Sequence, residues 1–199
     1  MKSRILGSLA AGLLAGPMAA HAIPVASPGT EGFRIYVTST SPVIATYQGS
    51  LGAFIDSLYL DVGGDFNAAN DGSPLFVTGT STAGQTVNLG SFAIGTELIF
   101  RLNVRNQFEN PNVVWNYFTG PGSRNSDGNA RARVQSEWLP GTTLVSWEDF
   151  FDFNFGDLSF SFTGTSSIKP PTSVPEPGTL ALLGLGLAGL GMSRRRKTH

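Results

Sequence analysis

Between residues 33 and 162 apolar and polar positions alternate in short runs, interrupted every few residues by Gly, Pro, Asn or Asp. In the clearest run, Glu97 to Arg105, residues Leu98, Phe100, Leu102 and Val104 fall on one face and Arg101, Asn103 and Arg105 on the other. That is the period of two of a strand with one wet side. Similar runs predict further strands over 33–37, 43–47, 54–60, 75–80, 86–89, 113–118, 130–135, 143–147 and 158–162, separated by turns such as Asn70-Asp71-Gly72-Ser73-Pro74. Ten short strands with tight turns predict an all-β fold, an antiparallel β-sandwich of jelly-roll type. From 152 to 162 the apolar positions move from 153 and 155 to 158, 160 and 162. The change of phase falls at Gly156-Asp157, which reads as a β-bulge or a tight turn.

Both ends of the chain lack this alternation. Met1-Lys-Ser-Arg4 is followed by the apolar run Ile5 to Leu14 and then by Ala20-His21-Ala22. A basic start, an apolar centre and small residues at the two positions read by signal peptidase predict a signal peptide over 1–22, with Ala20 and Ala22 marking the cleavage site. At the other end Val174-Pro175-Glu176-Pro177-Gly178 precedes the apolar stretch 179–192, and Arg194-Arg195-Arg196-Lys197 closes it. Fourteen helical residues span about 21 Å, less than the ~30 Å hydrocarbon core, so this segment is a marginal anchor. The four cations hold its end on the cytoplasmic side as a stop-transfer cluster. The two prolines keep Glu176 extended and open to a protease.

The order of Pro-Glu-Pro, short Leu/Gly-rich segment and arginine cluster resembles the PEP-CTERM sorting signal of Gram-negative bacteria. The resemblance covers residues 174–199. It implies processing by exosortase, a membrane-embedded cysteine transpeptidase, with Val174, Pro175, Glu176 and Pro177 as the recognition motif. The expected organisation is a signal peptide 1–22, a β-sandwich domain 23–165, a Pro/Ser/Thr linker 166–173 and a sorting tail 174–199, with a hydrophobic helix flanking the sandwich at each end.

Composition narrows the chemistry of the exported part. The chain has no cysteine, and its two histidines are His21 in the signal and His199 at the C-terminus. Between residues 23 and 173 the only lysine is Lys169. A Ser-His-Asp triad, a Cys-His pair, a histidine zinc site and a lysine Schiff base therefore have no residues to build them there. The same stretch holds seven basic and thirteen acidic residues, a net charge of about −6. Such a domain repels nucleic acid phosphates and attracts divalent cations.

Carboxylates and amides gather in three places: Asp61 to Asn67 with Asn70-Asp71-Gly72; Asn125 to Asn129; and Glu148-Asp149 with Asp152, Asn154 and Asp157. None has EF-hand spacing, and the first two have the residues that tight turns require. The third, taken with Arg124 to Val134 and Val145-Ser-Trp-Glu-Asp149, resembles the end of an uncharacterised β-domain of exported bacterial proteins. That family carries a Glu-Asp pair followed by Asp-x-Asp-Tyr/Phe-Asn-Asp-Leu and is suspected of binding calcium. The resemblance implies Glu148, Asp149, Asp152, Asn154 and Asp157 as calcium ligands. Two departures stand out: Arg131 occupies a position where that family often has His, and Phe155-Gly156 interrupts the Asn-Asp pair. Calcium is the one cofactor implied, and Arg124, Arg131 or Arg133 is the alternative source of neutralising charge.

The expected function is that of a non-enzymatic cell-surface or matrix protein associated with exopolysaccharide or biofilm. Its partners are signal peptidase and exosortase during processing and the membrane transiently. The alternatives are a carbohydrate-binding module, with exposed Trp115, Tyr117, Trp138 or Trp147 stacking on sugar rings, and a glycosidase using two of the carboxylates.

Overall fold

A computed structural model describes residues 22–171 other than 62 and 110, together with Leu187. The signal residues through 21, the sorting motif and the arginine cluster lie outside the described residues. Ala22 is exposed, and so is Leu187, the one described residue of the tail. Among the described residues no helix is long and apolar enough to cross a membrane.

Among the described residues twelve strands follow in chain order: β1 (Ile35–Val37), β2 (Ile44–Ser50), β3 (Ile55–Leu60), β4 (Phe76–Val77), β5 (Thr86–Asn88), β6 (Glu97–Leu98), β7 (Phe100–Asn106), β8 (Val113–Phe118), β9 (Ala132–Leu139), β10 (Thr142–Trp147), β11 (Leu158–Thr163) and β12 (Thr165–Ser166). A 3-10 turn, Gly122–Arg124, lies between β8 and β9. Every pairing is antiparallel. A five-stranded sheet has the order β5-β2-β11-β10-β9, a four-stranded sheet β4-β3-β7-β8, and a three-stranded sheet β12-β1-β6. The all-β antiparallel class expected from the alternation is the class observed. The three-stranded sheet ties the larger two together, because β6 runs into β7 across Ile99 and β11 runs into β12 across Gly164. Ser166, assigned to the linker from sequence, is thus the last residue of the fold's pairing with Tyr36.

The core lies between the two larger sheets. Ala45, Tyr47, Val134, Val145, Trp147, Leu158, Phe160 and Phe162 point inward from the five-stranded sheet, and Leu58, Phe76, Phe100, Leu102, Val104 and Tyr117 from the four-stranded one. Aromatic rings meet across the gap, Phe100 on Phe162 with centroids 4.2 Å apart and Phe76 on Phe160 at 5.6 Å. Burying each such ring contributes about 1.5–3 kcal/mol, and the stacking adds ~0.5–1.5 kcal/mol beyond the area. This packing replaces the disulfides that a chain without cysteine cannot form.

The expected wet face of β7 needs one correction. Arg105 is exposed, but Arg101 is buried, its guanidinium ion-paired with Asp71 and stacked 4.0 Å from the Tyr59 ring centroid. The Asn70-Asp71-Gly72 turn folds over the sheet and delivers the charge that lets Arg101 leave water. The β9–β10 hairpin closes through Pro140-Gly141, where Gly141 has φ +64°, as a turn with proline first and a left-handed second residue requires. The phase change at Gly156 resolves as a turn at Phe155-Gly156 preceding β11, while the register irregularity falls further on, between Ser159 and Phe160.

Candidate functional site

β10 and β11 are paired along their whole length, ending at Trp147↔Leu158. The ten residues between, 148–157, form the hairpin's loop at one end of the sandwich. Three short side-chain bonds shape it: the Phe150 N–H donates to Glu148 Oε1 at 2.9 Å, the Asn154 N–H to Asp152 Oδ1 at 2.9 Å, and the Asp149 N–H to Asp157 Oδ2 at 3.1 Å. Acidic side chains that satisfy nearby backbone donors are the usual means of building an irregular turn. The loop is fastened to the end of β2, where the Leu51 and Gly52 N–H groups both donate to the Asp157 carbonyl, at 2.9 and 3.1 Å. Gly52 has no room for a side chain, since a Cβ there would sit 2.6 Å from Asp149 Oδ2. Phe155 is buried beneath the Arg133 guanidinium, 4.3 Å from its ring centroid, while Phe150, Phe151 and Phe153 remain exposed.

Carboxylates converge on this loop. Oxygen atoms of Glu148, Asp152 and Asp157 all lie within 4.8 Å of one another. Glu148 is fully buried, Asp157 half-buried and Asp152 exposed. Of the sequence-derived set, Asp149 lies behind this trio with 3% exposure, and Asn154 sits exposed at the rim. A sixth acceptor residue was missed. Asp56 on β3 comes from the opposite sheet, is 0% exposed, and faces Asp149 with Asp157 nearby. Its signal was present in the alternation, because Asp56 shares the inward phase of Phe54, Leu58 and Leu60. A charged residue in an apolar phase marks either a partner or a site.

The electrostatics are those of acids without enough cations. Both oxygens of Asp56, Asp149 Oδ2 and Glu148 Oε2 are buried with no hydrogen-bond partner. Two carboxylates cannot donate to each other, so a contact such as Asp56 to Asp149 needs a shared proton or a cation. Desolvation, followed by the charge of Asp149, pushes Asp56 up to about 8. Burial raises Glu148 to about 7, although the Phe150 N–H opposes it and the Asp157 and Asp152 charges add to it. Asp157 rises to about 7 and Asp149 to about 6, burial again the first cause of each.

The arginines balance this group only at Glu148. Arg131 is fully buried, but its Nε donates to Asp127 Oδ2 at 2.8 Å, its Nη2 also pairs with that oxygen, and its Nη1 approaches Glu148 Oε1 only to 3.8 Å. Its guanidinium lies over the rings of Tyr117 and Phe151, at 4.6 and 4.7 Å. Arg133 pairs with Glu31 at 2.7 Å and Arg124 with Glu97 at 2.8 Å.

The other sequence candidates go elsewhere. In the first acidic stretch Asp65 accepts from the Asn67 N–H and Asn70 Nδ2, and in the second Asp127 accepts from the Asn129 N–H and from Arg131. Both are turn chemistry with ion pairing. Trp147 and Tyr117 are core residues, whereas Trp115 and Trp138 are half-buried.

In a comparison with protein-family models, residues 173–197 match the PEP-CTERM protein-sorting motif. No curated protein and no solved structure matches the chain significantly. The Pro-Glu-Pro, apolar and arginine-rich order of the tail is thus a PEP-CTERM sorting motif, and the chain that carries it is an exported, exosortase-sorted protein.

Proposed function

We propose that the exported β-domain is a non-enzymatic component of the cell surface or extracellular matrix, released into an exopolysaccharide-rich envelope when exosortase removes the tail. The observation that carries this reading is the sorting motif over 173–197. It is supported by a domain sequence from which histidine, cysteine and a lysine outside the linker are missing. The glycosidase alternative wants two carboxyl groups about 5–9.5 Å apart across a cleft. The trio of Glu148, Asp152 and Asp157 is closer than that and suits a shared cation better. Mass spectrometry of the protein released by its native host tests the sorting step. Peptides from 179 to 199 should be missing there and retained at the membrane in a host lacking exosortase. Intact tails on released protein would refute the reading.

One observation favours carbohydrate binding as a second reading. Phe54, Phe108, Trp115, Phe150 and Phe151 form a continuous aromatic surface, with neighbouring centroids 4.9–6.4 Å apart. Phe108 is 71% exposed and Phe151 48%, and exposed rings of this kind are stacking platforms for sugars or apolar partners. Cosedimentation with the host's own exopolysaccharide should weaken in Phe108→Ala and Phe151→Ala if this surface binds it.

A further inference from the structure

We propose that Glu148, Asp152 and Asp157 hold one calcium ion, and that Asp56 and Asp149 form a buried acidic pair immediately behind it that couples the site to the opposite sheet. Calcium–oxygen distances are about 2.3–2.6 Å, so ligand oxygens on one ion lie up to ~5 Å apart. The trio's oxygens, within 4.8 Å of one another, meet that requirement without rearrangement. An acidic cluster alone would not justify the assignment, since exposed acids repel harmlessly in water. Here Glu148 Oε2 is fully buried, has no partner, and belongs to the trio itself. Behind it Asp149 Oδ2 and both Asp56 oxygens are buried and unpartnered as well. Leaving an ionised carboxylate in that condition costs several kcal/mol unless a positive charge is near. Arg133 and Arg124 are committed to Glu31 and Glu97; Arg131 is bonded to Asp127 and reaches Glu148 only at Oε1, 3.8 Å away, so Glu148 Oε2, Asp149 and Asp56 have no arginine partner.

The ligand chemistry selects the metal. All donors are oxygens, which excludes soft metals and favours calcium, magnesium or manganese. Glu148 is anchored next to β10 and Asp157 next to β11, but Asp152 sits on an exposed loop whose neighbour Phe153 has φ +58°. Three carboxylates spread over a loop of this kind match calcium's loose shell better than magnesium's strict octahedron. The exposed Asp152 side leaves the remaining coordination positions to water. An exported protein meets calcium only after leaving the cytoplasm, and extracellular modules bind it with Kd of about 10⁻⁴–10⁻³ M.

The test uses the protein released by its native host, stripped with EDTA and dialysed. Titration with CaCl2 in a calorimeter should show one ion per chain, and Tm should rise by roughly 5–10 °C once calcium exceeds Kd a hundredfold. MgCl2 at the same concentration should produce less than half of that rise. Asp152→Asn, at an exposed position, should leave Tm in EDTA within about 1 °C of the parent and weaken calcium binding at least tenfold. Asp65→Asn, an acid of the turn-building type, should bind calcium as the parent does. No saturable calcium binding by folded protein, parental affinity in Asp152→Asn, or an equal response to magnesium would each overturn the assignment. Glu148→Gln adds a test from the buried side. If it fails to fold, the Asp152 variant still decides the question.

Discussion

Asp71 and Asp56 are both buried aspartates on the four-stranded sheet's side of the molecule, yet they have opposite surroundings. Asp71 receives the Nε of Arg101, whose other amino group donates to Asn116 Oδ1 at 2.8 Å and whose plane rests on Tyr59. Asp56 receives nothing and faces Asp149. Asp71 therefore has an arginine against one of its oxygens, whereas Asp56 and Asp149 have none. The matched pair is a structural device, since both partners and their bonds are enclosed by the fold. The unmatched group keeps a need for positive charge that the chain does not meet, and that need is what a site supplies.

The sharpest way to break this contrast is to remove a partner from the matched side. Arg101→Ala should destabilise the fold by about 3–5 kcal/mol, because Asp71 would then be a buried charge without compensation. Chemical denaturation should show the midpoint falling with the slope unchanged. A loss under ~1 kcal/mol would mean that Asp71 reaches water, and the contrast would fail.

The same manipulation on the unmatched side should have the opposite sign. Asp56→Asn keeps the shape and turns an acceptor facing Asp149 into a donor to it. Since Asp56 must otherwise take up a proton to stay buried, the variant should be more stable than the parent by about 1–3 kcal/mol in EDTA at pH 7.5. Destabilisation in EDTA would show that Asp56 already has a cationic partner.

Much of the fold was legible because alternation is local. The runs 113–118 and 158–162 correspond to β8 and to all but the last residue of β11, and Leu98, Phe100, Leu102 and Val104 are inward-facing as their period demands. What was illegible depends on residues distant in sequence. Nothing near Arg101 says that a turn thirty residues earlier will fold over it. The loop acids were readable as a group because Glu148 to Asp157 are neighbours in the chain, whereas Asp56 joins them only because β3 and the end of β10 face each other across the sandwich. Even so, an acid in the inward phase of Phe54, Leu58 and Leu60 was a local clue. The expectation that Arg131 serves as the cation is met only in part, at Glu148 Oε1, 3.8 Å away. Asp127, four residues before it, takes its guanidinium first.

Titration should sharpen the comparison further. In the unfolded chain the acids lose their protons near their ordinary values, 3.8 for Asp and 4.5 for Glu; in the fold Asp149 holds its proton to about 6, Glu148 and Asp157 to about 7, and Asp56 to about 8. The folded state therefore binds more protons than the unfolded one through this interval. Stability should be greatest below about pH 4 as far as these groups are concerned and should be lost as pH rises toward 8. The matched acids act elsewhere. Asp127 is lifted by burial but held lower on balance by the Asn129 N–H and Arg131, so its contribution disappears only on acidification below about pH 4. Urea midpoints in EDTA should consequently fall between pH 5 and pH 8, and saturating CaCl2 should flatten the decline. A midpoint that climbs with pH in EDTA would show that the cluster is already neutralised.

The smallest expected effect sets the baseline for the rest. Arg34 pairs with Glu97 at 3.1 Å, but its side chain is 46% exposed, and Glu97 keeps a second partner in Arg124 at 2.8 Å. An exposed pair gains little Coulomb energy in water and loses side-chain freedom to form. Losing Arg34 also leaves no acid unpaired, which is the condition that makes Arg101 costly to remove. Arg34→Ala should therefore change stability by no more than about 0.5 kcal/mol, and the difference should vanish in 1 M NaCl, where the Debye length shrinks to ~3 Å. A loss above ~1.5 kcal/mol that persists in high salt would mean that an arginine's value here does not depend on whether its acid is buried and otherwise alone. The distinction between matched and unmatched acids would then need a different physical basis.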